Sequence, residues 1–60
     1  METMWKNIAT WETVRFDKVP SGTVKALFET HDGNRRMVLF GSVSAARTWV
    51  RSDAAWKVIA

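Results

Sequence analysis

Apolar and polar residues alternate along much of the chain, which is the pattern of strands that bury one face. β-branched and aromatic side chains crowd residues 8 to 16, so we predict a strand over residues 10–18. Residues 1–9 fit either a frayed end or a short leading strand. A Val-Pro-Ser-Gly turn at residues 19–22 separates this strand from the next alternating run, residues 23–30.

An Asp-Gly pair at residues 32–33 lies between two alternating runs and predicts a β-hairpin. A two-residue type I′ loop sets Phe28 opposite Met37 and Glu29 opposite Arg36, the latter as a cross-strand ion pair. A three-residue loop with a bulge shifts the register by one residue and loses both pairings. We therefore predict the two-residue loop.

The segment from residue 42 to 52 has helical periodicity, and Ser42 is placed to cap its N-terminus. Alternation over residues 56–60 predicts a final strand. The predicted fold is α+β: a single domain, residues 1–60, with a small antiparallel β-sheet of three to four strands and one α-helix packed on one face, in β-β-β-α-β order. The predicted core contains Val14, Phe16, Val24, Ala26, Phe28, Met37, Leu39, Phe40, Val43, Ala46, Trp49, Val50, Trp56 and Val58.

The composition argues against catalytic and metal chemistry. The chain has no cysteine and one histidine, His31, which falls on the predicted turn. Disulfides and thiolate zinc sites are therefore excluded, and a site built on imidazoles is not expected. The three glycines are isolated turn residues and form no phosphate-binding loop. We predict no enzyme, no metal and no cofactor.

The charge and the hydropathy pattern bear on partner and compartment. Nine Lys and Arg oppose six Asp and Glu, giving a formal net charge of +3, which favours acidic or polyanionic partners. No run approaches the ~18 apolar residues of a membrane span, and the N-terminus lacks the basic flank and apolar run of a secretory signal. We expect a cytoplasmic protein without a membrane partner.

Two groups of residues are candidates for a binding surface. The basic candidates are Lys25, Arg35, Arg36, Arg47 and Arg51; ordinary solvated charge is the alternative interpretation. The aromatic candidates are Trp5 and Trp11, either as exposed anchors for a partner or as core residues. Trp49 and Trp56 fit buried positions instead.

Residues 24–50 resemble the AP2-like arm-type DNA-binding domain of tyrosine recombinases. The matching residues are Asp32, Gly33, Arg35, Arg36, Phe40, Ala46 and Trp49. The resemblance implies a three-stranded sheet that places one face in the major groove of duplex DNA. The chain departs from the pattern where its returning strand continues as the apolar Met-Val-Leu, residues 37–39, and where the family's catalytic domain would follow.

Two functional hypotheses follow. In the first, the chain is a non-enzymatic inhibitor or adaptor of a phage or mobile element that binds a host protein or nucleoprotein complex, of the anti-CRISPR or anti-restriction type. In the second, it is a double-stranded DNA-binding module that uses the sheet face, the hairpin and the arginines. We favour the first, because the predicted sheet face is too apolar for phosphate contacts. A homodimer is a further expectation, because a small sheet leaves edges to cover.

Overall fold

The computed structural model describes residues 3–59 and confirms the predicted fold class, an antiparallel sheet with one helix. The elements are β1 (Met4–Asn7), β2 (Thr13–Lys18), β3 (Val24–Glu29), β4 (Arg35–Phe40), α1 (Val43–Arg51) and β5 (Trp56–Val58). The sheet has five strands in the order β4-β3-β2-β1-β5, and every neighbouring pair is antiparallel.

The N-terminal segment forms β1, a strand that the predicted order β-β-β-α-β lacks. The observed order is β-β-β-β-α-β. Of the two alternatives for residues 1–9, the leading strand is the one that forms, because β1 pairs with both β2 and β5 and joins them. The predicted start of the next strand at residue 10 is wrong, since β2 begins at Thr13 and residues 8–12 form the turn after β1. The last predicted strand residue, Ala60, lies outside the described residues.

The register of the β3–β4 hairpin differs by one residue from the predicted register. Glu29 lies opposite Arg35 rather than Arg36. The predicted Glu29–Arg36 ion pair is therefore wrong, and Arg35 Nε instead contacts the Glu29 carboxylate at 2.8 Å. Met37 and Leu39, which were predicted in the core, turn to the opposite face and are 56% and 60% exposed.

Local hydrogen bonds at the hairpin tip explain this register. The Thr30 amide donates to the Asn34 carbonyl at 2.8 Å, and the Gly33 amide donates to the Thr30 carbonyl at 3.0 Å. Gly33 has φ +93°, as in a type I turn closed by a left-handed glycine. The Thr30 hydroxyl also accepts from the Asn34 amide at 3.0 Å and donates to the Asp32 carboxylate. These contacts favour a three-residue loop, residues 31–33, so the predicted two-residue loop is wrong.

The core lies between α1 and one face of the sheet. Its buried apolar residues are Trp5, Val14, Phe16, Val24, Ala26, Phe28, Ala46, Val50 and Trp56. Phe28 is at its centre, with ring centroids 5.4 Å from Trp49 and 6.2 Å from Trp56 in edge-to-face contacts. Trp49 closes the rim of the core and stays 37% exposed, while Val58, another predicted core residue, is 49% exposed.

The helix begins and ends close to the predicted residues. The Ser42 hydroxyl accepts a hydrogen bond from the Ala45 amide at 3.1 Å, which confirms Ser42 as the N-cap. Ala46 and Val50, one turn apart, are the two fully buried residues of α1 among those described. The helix therefore packs on the sheet through a single stripe of residues.

Candidate binding surface

The face of the sheet opposite α1 carries the candidate site, and no helix or strand among residues 3–59 covers it. We call it the open face. Cross-strand pairing and alternation place on it Met4, Lys6, Thr13, Arg15, Asp17, Lys25, Leu27, Glu29, Arg35, Met37, Leu39 and Lys57. Residues that alternate with them on the same strands fill the core.

Apolar side chains form a strip on the β4 side of the open face. Met37 lies opposite Leu27, and Leu39 lies one alternation further along β4. Leu27 and Met4 are half-buried, whereas Met37 and Leu39 are mostly exposed. A concavity of about 520 Å³ opens between Met4, Leu27 and Met37, with Thr13 and Arg15 also on its wall. The strip therefore offers apolar area in a shallow depression.

The positive charge of the described residues is concentrated on the open face. Its five cations are Lys6, Arg15, Lys25, Arg35 and Lys57, and its two carboxylates are Asp17 and Glu29. Their difference is +3. Residues 3–59 hold four further cations and three further carboxylates, which leave a difference of only +1. The field of the described residues is thus most positive on the side that no helix among them covers.

Both carboxylates of the open face are already engaged. Asp17 lies 3.3 Å from Arg15 Nε, and Glu29 lies 2.8 Å from Arg35 Nε. The three lysines, in contrast, make no ion pair among residues 3–59. Among the described residues, the charge of the open face that no ion pair neutralises consequently belongs to Lys6, Lys25 and Lys57.

Lys6 and Lys57 are directly opposite each other on β1 and β5. Like charges at such positions destabilise a sheet. The Lys6 ammonium lies 4.4 Å from the Trp11 ring centroid, a cation–π contact. Trp11 itself is 59% exposed. This corner of the open face therefore presents two ammonium groups beside an exposed indole.

The β1–β2 loop holds Trp11 in an uncommon backbone conformation. The buried Asn7 side chain accepts hydrogen bonds from the amides of Ala9 at 2.9 Å and Thr10 at 3.0 Å. The Trp11 amide donates to the Asn7 carbonyl at 2.8 Å. Trp11 has φ +64°, the left-handed region, which is strained for a bulky side chain. The loop thus fixes a strained, exposed Trp11 next to Lys6.

The structure divides the basic residues predicted from the sequence among separate surfaces. Lys25 and Arg35 lie on the open face. Arg36 lies on the core side of β4, 4.0 Å from the Phe28 ring centroid and 3.3 Å from the Glu12 carboxylate. The other two, Arg47 and Arg51, are exposed on α1. They therefore form no single patch with Lys25 and Arg35.

The two candidate aromatic anchors, Trp5 and Trp11, also lie in different environments. Trp5 is 9% exposed and belongs to the core, which is the alternative that the sequence left open for it. Trp11 is exposed beside the open face. Sequence reasoning missed Lys6 and did not pair it with Lys57. Alternation with Trp5 and Trp56 indicates which face they occupy, but no local signal indicates that their strands are neighbours.

Two further features bear on the kind of site. His31 is exposed on the hairpin loop, and no group of three or more His, Cys, Asp or Glu within residues 3–59 could hold a metal ion. In the same part of the chain, no helix has the length and apolar character needed to cross a membrane.

No protein-family model, curated protein sequence or solved structure matches the chain. The resemblance of residues 24–50 to the arm-type domain accordingly stays a prediction.

Proposed function

We propose that the chain is a non-enzymatic binding protein that docks its open face on an acidic surface of a host protein complex, as an inhibitor or adaptor. The observation that carries this proposal is the charge excess of +3 on the face that no helix or strand among residues 3–59 covers. That face also carries exposed apolar side chains, so charge and apolar area are offered together.

The open face combines an apolar strip along β4 with charged groups beside it, and both kinds of surface occur in protein interfaces. Met37 and Leu39 supply exposed apolar area beside the depression at Leu27. Lys25 lies opposite Leu39, and Arg35 precedes Met37 on the same strand. A partner that covers this strip removes apolar surface from water, which is worth roughly 25 cal/mol per Å² before the costs of association.

The positive charge of the open face determines which class of partner can bind there. Lys6, Lys25 and Lys57 make no ion pair among the described residues, so carboxylates of a partner can approach them without displacing an existing bond. Complementary charge also steers association and raises its rate at low salt. We therefore expect an acidic protein surface that adjoins an apolar patch.

The test is affinity capture with matched charge variants from a nuclease-treated bacterial lysate. The double variant Lys6→Gln/Lys57→Gln removes two charges from the open face, and Arg47→Gln/Arg51→Gln removes two from α1. A protein captured by wild type is then purified and its affinity measured by calorimetry. We expect the open-face variant to lose about tenfold or more in affinity and the α1 variant to retain it. Equal losses in both variants would overturn the proposal.

Binding to duplex DNA is the second candidate. It is favoured by one corner of the open face, where Lys6 and Lys57 lie beside the exposed Trp11 ring. Against it, Met37 and Leu39 would face phosphates across the other half of the sheet. Fluorescence anisotropy with a generic duplex at two salt concentrations separates the candidates. Micromolar binding that weakens steeply with salt and is lost in Lys6→Gln/Lys57→Gln would support DNA over protein.

A further inference from the structure

The two edges of the sheet differ in how well they are protected against pairing with another strand. Edge strands are normally kept short or interrupted by Lys, Pro or a bulge. β5 follows this rule, with three residues and Lys57 at its centre. β4 has six residues and ends in the uninterrupted apolar run Met37–Phe40. β4 is therefore the unprotected edge.

The backbone of β4 has hydrogen-bonding groups that point away from the sheet. The Thr30 amide bonds to the Asn34 carbonyl at the hairpin end, so this pair is a hydrogen-bonded one. Such pairs alternate along an antiparallel ladder with pairs that do not bond. The residues whose amide and carbonyl groups consequently point outward are Arg35, Met37 and Leu39.

The side chains of β4 are complementary to a second copy of the same strand. Antiparallel pairing centred on Val38 sets Met37 opposite Leu39 of the second copy on the open face, twice by symmetry. Both residues are more than half exposed in one chain. On the core side the same register sets Arg36 opposite Phe40 of the second copy. No two arginines then lie opposite each other, so like charges do not oppose the pairing.

We propose that two copies of the chain associate through β4, in antiparallel register centred on Val38, to form one continuous ten-stranded sheet. A second copy fits this edge by the Met37–Leu39 complementarity, whereas packing of open face on open face would bring two surfaces of charge +3 together. Edge pairing leaves both open faces exposed and side by side. The inference therefore stands independently of the proposed function.

Disulfide trapping tests the register. The chain has no cysteine of its own. In the proposed register Val38 faces Val38 of the second copy as a pair without ladder bonds, with Cα atoms about 4.5 Å apart, within the range of a disulfide. We expect Val38→Cys to form covalent dimers under mild oxidation. The matched control is Val58→Cys on the other edge, which we expect to stay monomeric. Equal trapping of both variants, or of neither, would overturn the proposal.

Sedimentation equilibrium gives a second measurement that needs no cross-link. We expect wild type to have twice the chain mass at high micromolar concentration and Leu39→Lys to have the single-chain mass. Ile59→Lys adds the same charge at a residue of similar exposure, 52% against 60%, near the β5 edge, and should remain dimeric. Wild type that stays monomeric to near-millimolar concentration would overturn the proposal. Lys6→Gln/Lys57→Gln should keep the dimer mass, so loss of partner binding and loss of dimerisation are distinguishable.

Discussion

Lys6 and Lys57 face each other across β1 and β5, and neither has an acidic partner among residues 3–59. A cross-strand pair of like charges lowers the stability of the fold, and a chain of 60 residues has little stability to spare. Under the proposed function, an anionic partner that binds the two ammonium groups offsets this cost. The pair therefore links the electrostatics of the sheet to the proposed function.

The first prediction concerns this pair. Lys57→Glu turns a repulsive cross-strand pair into an attractive one, so the free energy of unfolding should rise by roughly 0.2–1 kcal/mol. Affinity for the acidic partner should fall in the same variant. Urea denaturation at low and high salt measures the first effect, and the gain should shrink as salt screens the pair.

Lys18→Glu is the control for that prediction, because it makes the same change of charge on β2, away from the Lys6–Lys57 pair. We expect no comparable gain from it. A gain of equal size in Lys18→Glu would show that overall net charge, rather than the cross-strand pair, limits stability.

The second prediction concerns acid stability of the hairpin loop. The hydrogen bond from the Thr30 hydroxyl lowers the pKa of the Asp32 carboxyl below its ordinary value. A carboxyl whose pKa is lower in the folded than in the unfolded chain contributes stability above the unfolded pKa. That contribution is lost as pH falls through the folded pKa. We therefore expect the loop to lose this stabilisation in acid.

NMR titration of the Asp32 carboxyl measures the effect directly. In Thr30→Val, which lacks the hydroxyl, the pKa of Asp32 should move up toward its ordinary value. In Thr30→Ser, which keeps the hydroxyl, it should stay lowered. An unchanged pKa in Thr30→Val would contradict the assignment of the cause to this hydrogen bond.

The hairpin also shows what the sequence could and could not predict about the fold. Alternation predicted the correct faces of Val24, Ala26 and Phe28 on β3, since buried and half-buried residues alternate strictly along that strand. Alternation alone did not decide the register of β4, where Met37 and Leu39 are as apolar as Val38 and Phe40. The register depends on hydrogen bonds within the loop.

The candidate site was predictable only in part, for a related reason. Lys25 and Arg35 belong to one hairpin, but the predicted register placed Arg36 rather than Arg35 on the face of Lys25, and the three-residue loop is what brings Arg35 there. Lys6 and Lys57 come from opposite ends of the chain, and their contact depends on β1 lying between β2 and β5. Strand order of this kind is set by packing of the whole core, with Trp5 and Trp56 on the buried side.

The third prediction tests the glycine of the hairpin loop. Gly33 has φ +93°, and a methyl group added to its Cα would meet no atom within 4 Å, so backbone strain alone opposes a side chain there. Gly33→Ala should lower the free energy of unfolding by about 1–2 kcal/mol. Gly41 also has open space around it but lacks a positive φ. Gly41→Ala should therefore be neutral or stabilising. Equal losses in the two variants, measured by urea denaturation, would contradict the left-handed loop.

The last prediction separates stability from binding at Trp11. Its φ of +64° is strained for a tryptophan, and Trp11→Gly removes that strain, worth about 1–2 kcal/mol. The same change loses the cation–π contact with Lys6, worth about 0.5–1 kcal/mol at an exposed site. The free energy of unfolding should therefore stay the same or rise slightly, while affinity for the partner falls.

Trp56→Gly is the control for Trp11→Gly, because Trp56 is a core residue. It is 7% exposed and packs on Phe28 and Trp49. Trp56→Gly should cost about 3–5 kcal/mol and unfold much of the population. Thermal unfolding followed by circular dichroism measures both variants, and calorimetry with the captured partner measures binding by Trp11→Gly. If Trp11→Gly lost stability as Trp56→Gly does, Trp11 would be a structural residue. Retained stability with weakened binding would assign the strained indole to the partner.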